Sequence, residues 1–137
     1  PGAAERALAS QTALLPPTSR EHGAVRAAIA LWTAASYGAE SARRLAAVPE
    51  AAFDEALHGW AVREALARSD RAGALKAIER MPAALRGTAQ WQYFEARLRE
   101  DLGDAAAAAP LFAAAAKSPT FHGFLAADRA GTPYALC

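Results

Sequence analysis

An all-α chain is predicted by three features of this sequence: its alanine content, its shortage of β-branched residues, and apolar stripes of helical period separated by short Pro, Gly and Asp breaks. Alanine fills 41 of 137 positions, while valine and isoleucine together fill five. Alanine, leucine, arginine and glutamate are strong helix formers, and the residue types a sheet would need are scarce. Alanine also inflates the hydrophobic fraction of 53%, because only 32 other apolar residues remain. No helix pair is apolar enough to fold by itself, so neighbouring pairs must share a continuous seam. The architecture expected is a right-handed superhelical stack of antiparallel helix pairs, tetratricopeptide-like, with a closed helical bundle as the alternative.

The elements follow in order. Residues 3–15 form an alanine-rich helix that Pro16-Pro17 ends. Ser19 caps a helix running to about Ser36, on which Val25, Ile29 and Trp32 fall at i, i+4 and i+7. Tyr37-Gly38 breaks it, a shorter helix reaches Ala47, and Pro49 marks the next start. Phe53, Leu57, Trp60, Ala61 and Glu64 then line one stripe that ends near Ser69-Asp70. A partner helix carries Ala74, Leu75, Ile78 and Met81 and is closed by Pro82. Residues 88–102 and Asp104 to Ala116 make a further pair. Around Gly103, Ala96 lies seven residues before, and Ala108 and Phe112 lie five and nine after. Those are offsets of the small and aromatic positions in a tetratricopeptide-like pair. A single backward shift carries Tyr93 onto Trp60 and Gly103 onto Asp70, the corresponding helix and turn of the preceding pair.

The last helix is expected to begin at Ser118-Pro119, with Ser118 as cap and Pro119 at the first helical position. Phe121, Phe124 and Leu125 share a face with Asp128 at its margin. Gly131 supplies a left-handed stop and Pro133 forbids a restart. A helix this short is not stable alone. It must dock, and its two phenylalanines are the expected filling for the alanine surface of the helix before it.

This terminal run, FHGFLAADRAGTPY, resembles the segment with which soluble lytic murein transglycosylases end their helical superstructure before the catalytic domain. That family carries Phe-Tyr-Gly-Phe-Leu-Ala-Ala-Asp-Arg-Leu-Gly-x-Pro-Tyr. The chain matches at Phe121, Gly123, Phe124 to Arg129, Gly131, Pro133 and Tyr134, and departs at His122 and Ala130. Upstream, Trp91, Tyr93, Phe94, Ala96 and Arg97 resemble the family's Trp-x-Tyr-Trp-x-Ala-Arg helix, with Phe94 in place of the second tryptophan. The resemblance runs from Trp60 to the end of the chain.

The resemblance implies a non-catalytic piece of a periplasmic enzyme that cleaves peptidoglycan glycan strands, a lyase forming 1,6-anhydro-muropeptides. Residues 1–50 would continue an upstream helical array, and residues 51–137 would form a superhelical linker-like domain. The implied partners are the lysozyme-like catalytic domain of the same parent chain and a peptidoglycan strand. Phe121, His122, Asp128, Arg129 and Tyr134 are the candidate docking or interface residues. Trp60, Trp91, Tyr93, Phe112 and Phe124 are the candidate core. The alternative is a free-standing tetratricopeptide-like scaffold that binds a protein or peptide.

Family members protonate the leaving oxygen, and then act as base, with the glutamate of a Glu-Ser dipeptide in the separate catalytic domain. Glu40-Ser41 is such a dipeptide, but it lacks the motif's flanking residues and precedes Ala42-Arg43-Arg44 in what reads as a surface helix. The segment is therefore expected to hold no catalytic residue. No cofactor is expected either. His58 follows Asp54 at i+4, yet two ligands do not make a metal site, and no thiolate or second histidine lies near. His22 and His58 are read as surface or capping residues and His122 as a rim residue. Trp32, Trp60 and Trp91 each sit at helical spacing from other apolar residues and are read as core. Arg97 is expected in a solvated ion pair. Asp128-Arg129 is either a salt bridge locking helix ends or a dock for the catalytic domain.

Fifteen basic and 14 acidic residues interleave to a net charge of +1, which provides no electrostatic footprint for nucleic acid. No apolar run is long enough to span a bilayer. The chain starts at Pro1 without a signal peptide, so it reads as an excised piece, and its one cysteine, Cys137, cannot form an intrachain disulfide.

Overall fold

The computed structural model describes residues 1–136 and, among them, nine α-helices, one 3-10 turn and no strand. Cys137 lies outside the described residues. The chain forms two compact units, divided between Arg68 and Ser69.

The first unit contains α1 (Gly2–Ser10), α2 (Arg20–Ala35), α3 (Ser41–Ala46), the 3-10 turn Glu50–Ala52 and α4 (Glu55–Ala67). The helix expected over residues 3–15 stops at Ser10, where the Ser10 hydroxyl donates back to the Ala7 carbonyl at 2.8 Å. Beyond it the polar Ser-Gln-Thr run favours turns, and Leu14 stays 78% exposed, so no packing extends the helix. Helix α2 is the hub, in contact with α1, α3, α4 and the 3-10 turn. Ser19 caps it as expected, its side chain accepting from the His22 amide.

The buried rows of α2 run His22, Ile29, Thr33 and Gly23, Ala30, Ala34; of the expected stripe Val25, Ile29, Trp32, Ile29 is buried and Val25 half-buried. Trp32 is 71% exposed, a correction to its reading as core. The helix is rotated because Ala30 and Ala34 let Leu45, Val48 and Leu57 approach closely, with Trp60 half-buried at the margin of that cluster. At its end Tyr37 takes the left-handed position (φ 51°). Its amide donates to the Ala34 carbonyl and that of Gly38 to Thr33, closing the carbonyls of the last turn.

The second unit contains α5 (Arg71–Glu79), α6 (Ala83–Arg86), α7 (Ala89–Asp101), α8 (Ala105–Ala115) and α9 (Phe121–Ala130). Asp70 caps α5 and Asp104 caps α8 through their side chains. Pro82 does not simply end a helix; it initiates the short α6, its carbonyl accepting from the Leu85 and Arg86 amides. The core is built from alanine: Ala96 of α7, Ala108, Ala115 and neighbouring Ala116 of α8, and Ala126 and Ala127 of α9, around Phe112. Phe112 is 3% exposed and Trp91 6%. Tyr93 packs partly buried against the same cluster.

Two corrections concern α9. Its cap is Thr120, which accepts from the Gly123 amide at 3.2 Å, so Ser118 and Pro119 lie outside the helix. Its buried face is Gly123, Ala126 and Ala127, while Phe121 is 70% exposed and Phe124 and Leu125 are half-buried. The seam is filled by Phe112 from α8. The small face of α9 can therefore approach where a phenylalanine face would be held off. Gly131 is left-handed (φ 64°) and stops the helix as expected.

Helix α4 starts at Glu55 and α7 at Ala89, and the two are equal in length. The same offset separates the starts of α5 and α8, Arg71 and Ala105, their caps Asp70 and Asp104, and the left-handed residues Ser69 and Gly103. Leu57, Val62, Ala74, Ile78 and Met81 correspond in that register to Trp91, Ala96, Ala108, Phe112 and Ala115, and all of them are buried. The observed register pairs Gly103 with Ser69, not with Asp70 as expected, because helix ends rather than aromatic positions define it.

Candidate functional site

The five candidate interface residues form two linked clusters on the second unit. The first is an aromatic face. On α7, Tyr93 and Phe94 project from the second turn, and α9 brings His122 against them at ring-centroid distances of 6.0 and 5.4 Å. Phe121 lies 5.4 Å from His122 on its other side and is largely exposed. Phe94 also leans on Trp91 at 5.9 Å, which ties the face to the buried core. Such a patch of ring faces can stack on flat apolar surfaces, including one side of a sugar ring.

The second cluster straps the terminal segment down. Beyond α9 the chain turns so that the Tyr134 hydroxyl donates to Asp128 at 2.7 Å and its ring meets Phe124 at 5.4 Å. The Asp128 carboxylate holds the Tyr134 phenol above its ordinary range. Arg129 pairs with Glu100 of α7 and lies 5.7 Å over the Phe112 ring. Asp128 and Arg129 therefore do not pair with one another in the contacts seen: one holds the tail and the other holds α7. Arg97 donates to the Tyr93 hydroxyl at 3.3 Å and approaches Glu100 at 3.8 Å.

Each unit also holds a buried carboxylate, and the sequence reading did not single these out as ion-pair centres. Glu95 is 2% exposed and accepts from Arg86 through both nitrogens of its fork (2.8 and 2.7 Å) and from Arg99 (2.9 and 2.7 Å). The Arg86 guanidinium, more than burial opposes it, holds the Glu95 carboxyl below the usual range. The Glu95–Arg99 spacing of i, i+4 is a signal the sequence contained; Arg86, arriving from α6, is not. In the first unit Glu64, 6% exposed, accepts from Ser41 at 3.0 Å and from Arg68 at 2.6 Å. Ser41 is thus buried and structural, while Glu40 is exposed and paired with Arg43.

Two histidine readings are corrected. His22 is 3% exposed and His58 5%, so neither is a surface residue. Both lie on the face of their helix that the neighbouring elements cover, and the His58 ring packs at a tilt against Phe53, 5.0 Å between centroids. A glycosidic general acid needs a carboxyl held above its ordinary value. Glu95 is held below it, and Glu5 lies down at about 2, because Arg43 and Arg44 donate to it. Among the described residues no group of three His, Cys, Asp or Glu side chains can hold a metal ion, and no helix is long and apolar enough to cross a membrane. Comparison with protein families, with curated proteins and with solved structures finds no match.

Proposed function

We propose that this chain is a non-catalytic, tetratricopeptide-like helical scaffold of a periplasmic soluble lytic transglycosylase. It supports that enzyme's lysozyme-like catalytic domain and helps a peptidoglycan strand reach it. The observation that carries the reading is the terminal segment. Phe124, Asp128, Arg129, Gly131 and Tyr134, all part of the resemblance, are bound into one strap that leaves Phe121 and His122 on the outside as a ring face. The shared register of helices, caps and left-handed turns supports the repeat reading, since the step from Glu55 to Ala89 matches the tetratricopeptide period. That register by itself fits the second reading equally, a free-standing scaffold for a peptide or protein.

The coding sequence beyond Cys137 tests the choice. A lysozyme-like stretch containing a Glu-Ser motif is the expected result, and a stop codon there refutes the first reading. In the test tube, purified chain should sediment with peptidoglycan sacculi and leave them intact. Release of anhydro-muropeptides by a clean preparation would overturn the non-catalytic assignment.

A further inference from the structure

The first unit holds a pocket of about 250 Å³ among α1, α2 and α3, independent of the terminal segment and lined by Leu8, Ile29, Glu5, Arg26, Arg43 and Arg44 among others. Arg43 and Arg44 converge on Glu5. Arg43 grips it as a fork at 2.8 and 3.0 Å, and Arg44 donates twice to the second oxygen at 3.1 and 3.0 Å. The fold has thus built one carboxylate seat here already. Arg26 is different: its hydrogen bond is to the Ala47 carbonyl at 3.2 Å, and most of its donors remain for another acceptor. Three guanidiniums outnumber Glu5 and the nearby Glu40, so the pocket carries excess positive charge beside an apolar wall. His22 lines the same pocket, and its buried Nδ1 has no hydrogen-bond partner among the described residues. Folded chains rarely leave such an atom without one.

We propose that this pocket binds a small organic carboxylate, its anion on Arg26 and a short aliphatic tail against Leu8 and Ile29, with His22 as a second polar contact. A planar fork suits a carboxylate or a phosphate equally. The apolar wall is what selects an organic acid over an inorganic anion.

Amide NMR of the whole chain titrated with sodium butyrate tests this. Saturable shifts centred on Leu8, His22 and Ile29 are expected, with inorganic phosphate producing none at the same concentration and ionic strength. Acetyl-alanyl-alanine provides the second source of the same chemistry. Tighter binding of butyrate assigns the pocket to a free acid, and tighter binding of the peptide assigns it to a chain end; both support a carboxylate site. Arg26→Gln should weaken binding roughly tenfold or more, the loss expected for a charge-assisted pair. If that variant fails to fold, Ala9→Trp, at an exposed lining position, should abolish binding by filling the pocket. Shifts that do not saturate, equal shifts from phosphate, or unchanged affinity in a folded variant would overturn the proposal.

Discussion

Replacing Gly123 with alanine sets helix propensity against packing and shows which face of α9 is docked. Alanine in a helix interior is favoured over glycine by about 1 kcal/mol, and somewhat less in the first turn, where Gly123 lies. By local preference alone the change should be neutral or stabilising. A methyl group there, however, collides with the Ser118 carbonyl and stands 3.0 Å from the Ala115 carbonyl. Both are backbone atoms, one at the end of α8 and one in the turn that leads to α9, so neither can swing aside. Overpacking of this kind costs about 1–3 kcal/mol, and for a unit this size each kcal/mol lowers the melting temperature by roughly 4–8 °C.

Gly73 is the internal control. It occupies the same third helical position in α5, yet the nearest atoms a methyl group there would meet belong to the Asp70 side chain, which can turn aside at the cost of its cap on α5, about 1 kcal/mol, against a similar gain in helix propensity. Thermal melts followed by circular dichroism should show Gly123→Ala lowered by several degrees, with Gly73→Ala changed much less. Phe121→Ala, at a position 70% exposed, should cost less than about 0.5 kcal/mol. If Gly123→Ala were neutral and Phe121→Ala costly, the small-residue docking of α9 would be wrong.

Glu95→Ala should destabilise the second unit by about 3 kcal/mol, read by urea unfolding, because it leaves the partly buried Arg86 without its acceptor and Arg99 with only Glu79 and Asp104. The depressed Glu95 carboxyl contributes stability that is complete above the ordinary carboxylate range and is lost as pH falls below it, so wild type should lose more on acidification than Glu95→Gln. Glu5, lowered from 4.5 to about 2, predicts that the clamp of α1 on α3 is intact above pH 4.5 and released as pH falls through about 2; amide shifts of Arg43 and Arg44 should follow that titration. Phe124→Ala, half-buried against Tyr134, should cost less than the loss of about 3–5 kcal/mol expected for a fully buried phenylalanine, and His122→Ala, touching three rings, about 1 kcal/mol or more, so melts of the two should differ little.

Local chemistry was legible at most places where a residue acts on its own backbone, the cap of α9, Thr120 and not Ser118, being an exception. The all-helical class follows from composition. Ser19 caps, Gly131 stops, and Asp104 opens α8 because a short acceptor or a missing Cβ works within a turn of its own position. The near-repeat was legible too, though aligning aromatics set Gly103 against Asp70, while caps and left-handed turns, which mark helix ends more sharply, set it against Ser69.

What the sequence could not determine was which way a helix faces when alanine is its commonest residue. Apolar spacing selected Val25, Ile29 and Trp32 on α2, of which Ile29 alone is buried, and the phenylalanines on α9, since large side chains dominate any hydrophobic pattern. Close packing selected Ala30 and Ala34, and Gly123, Ala126 and Ala127 instead, since small side chains admit the nearest approach and one large residue from the opposite helix fills the gap. Long-range partners were equally invisible: Arg86 reaches Glu95, Ser41 reaches Glu64, and Arg43 and Arg44 meet on Glu5 from a distant helix. Capping is decided by a few neighbouring bonds and can be read along the chain, whereas the choice of buried face and of ion-pair partner depends on which surfaces meet, and only the tertiary structure brings them together.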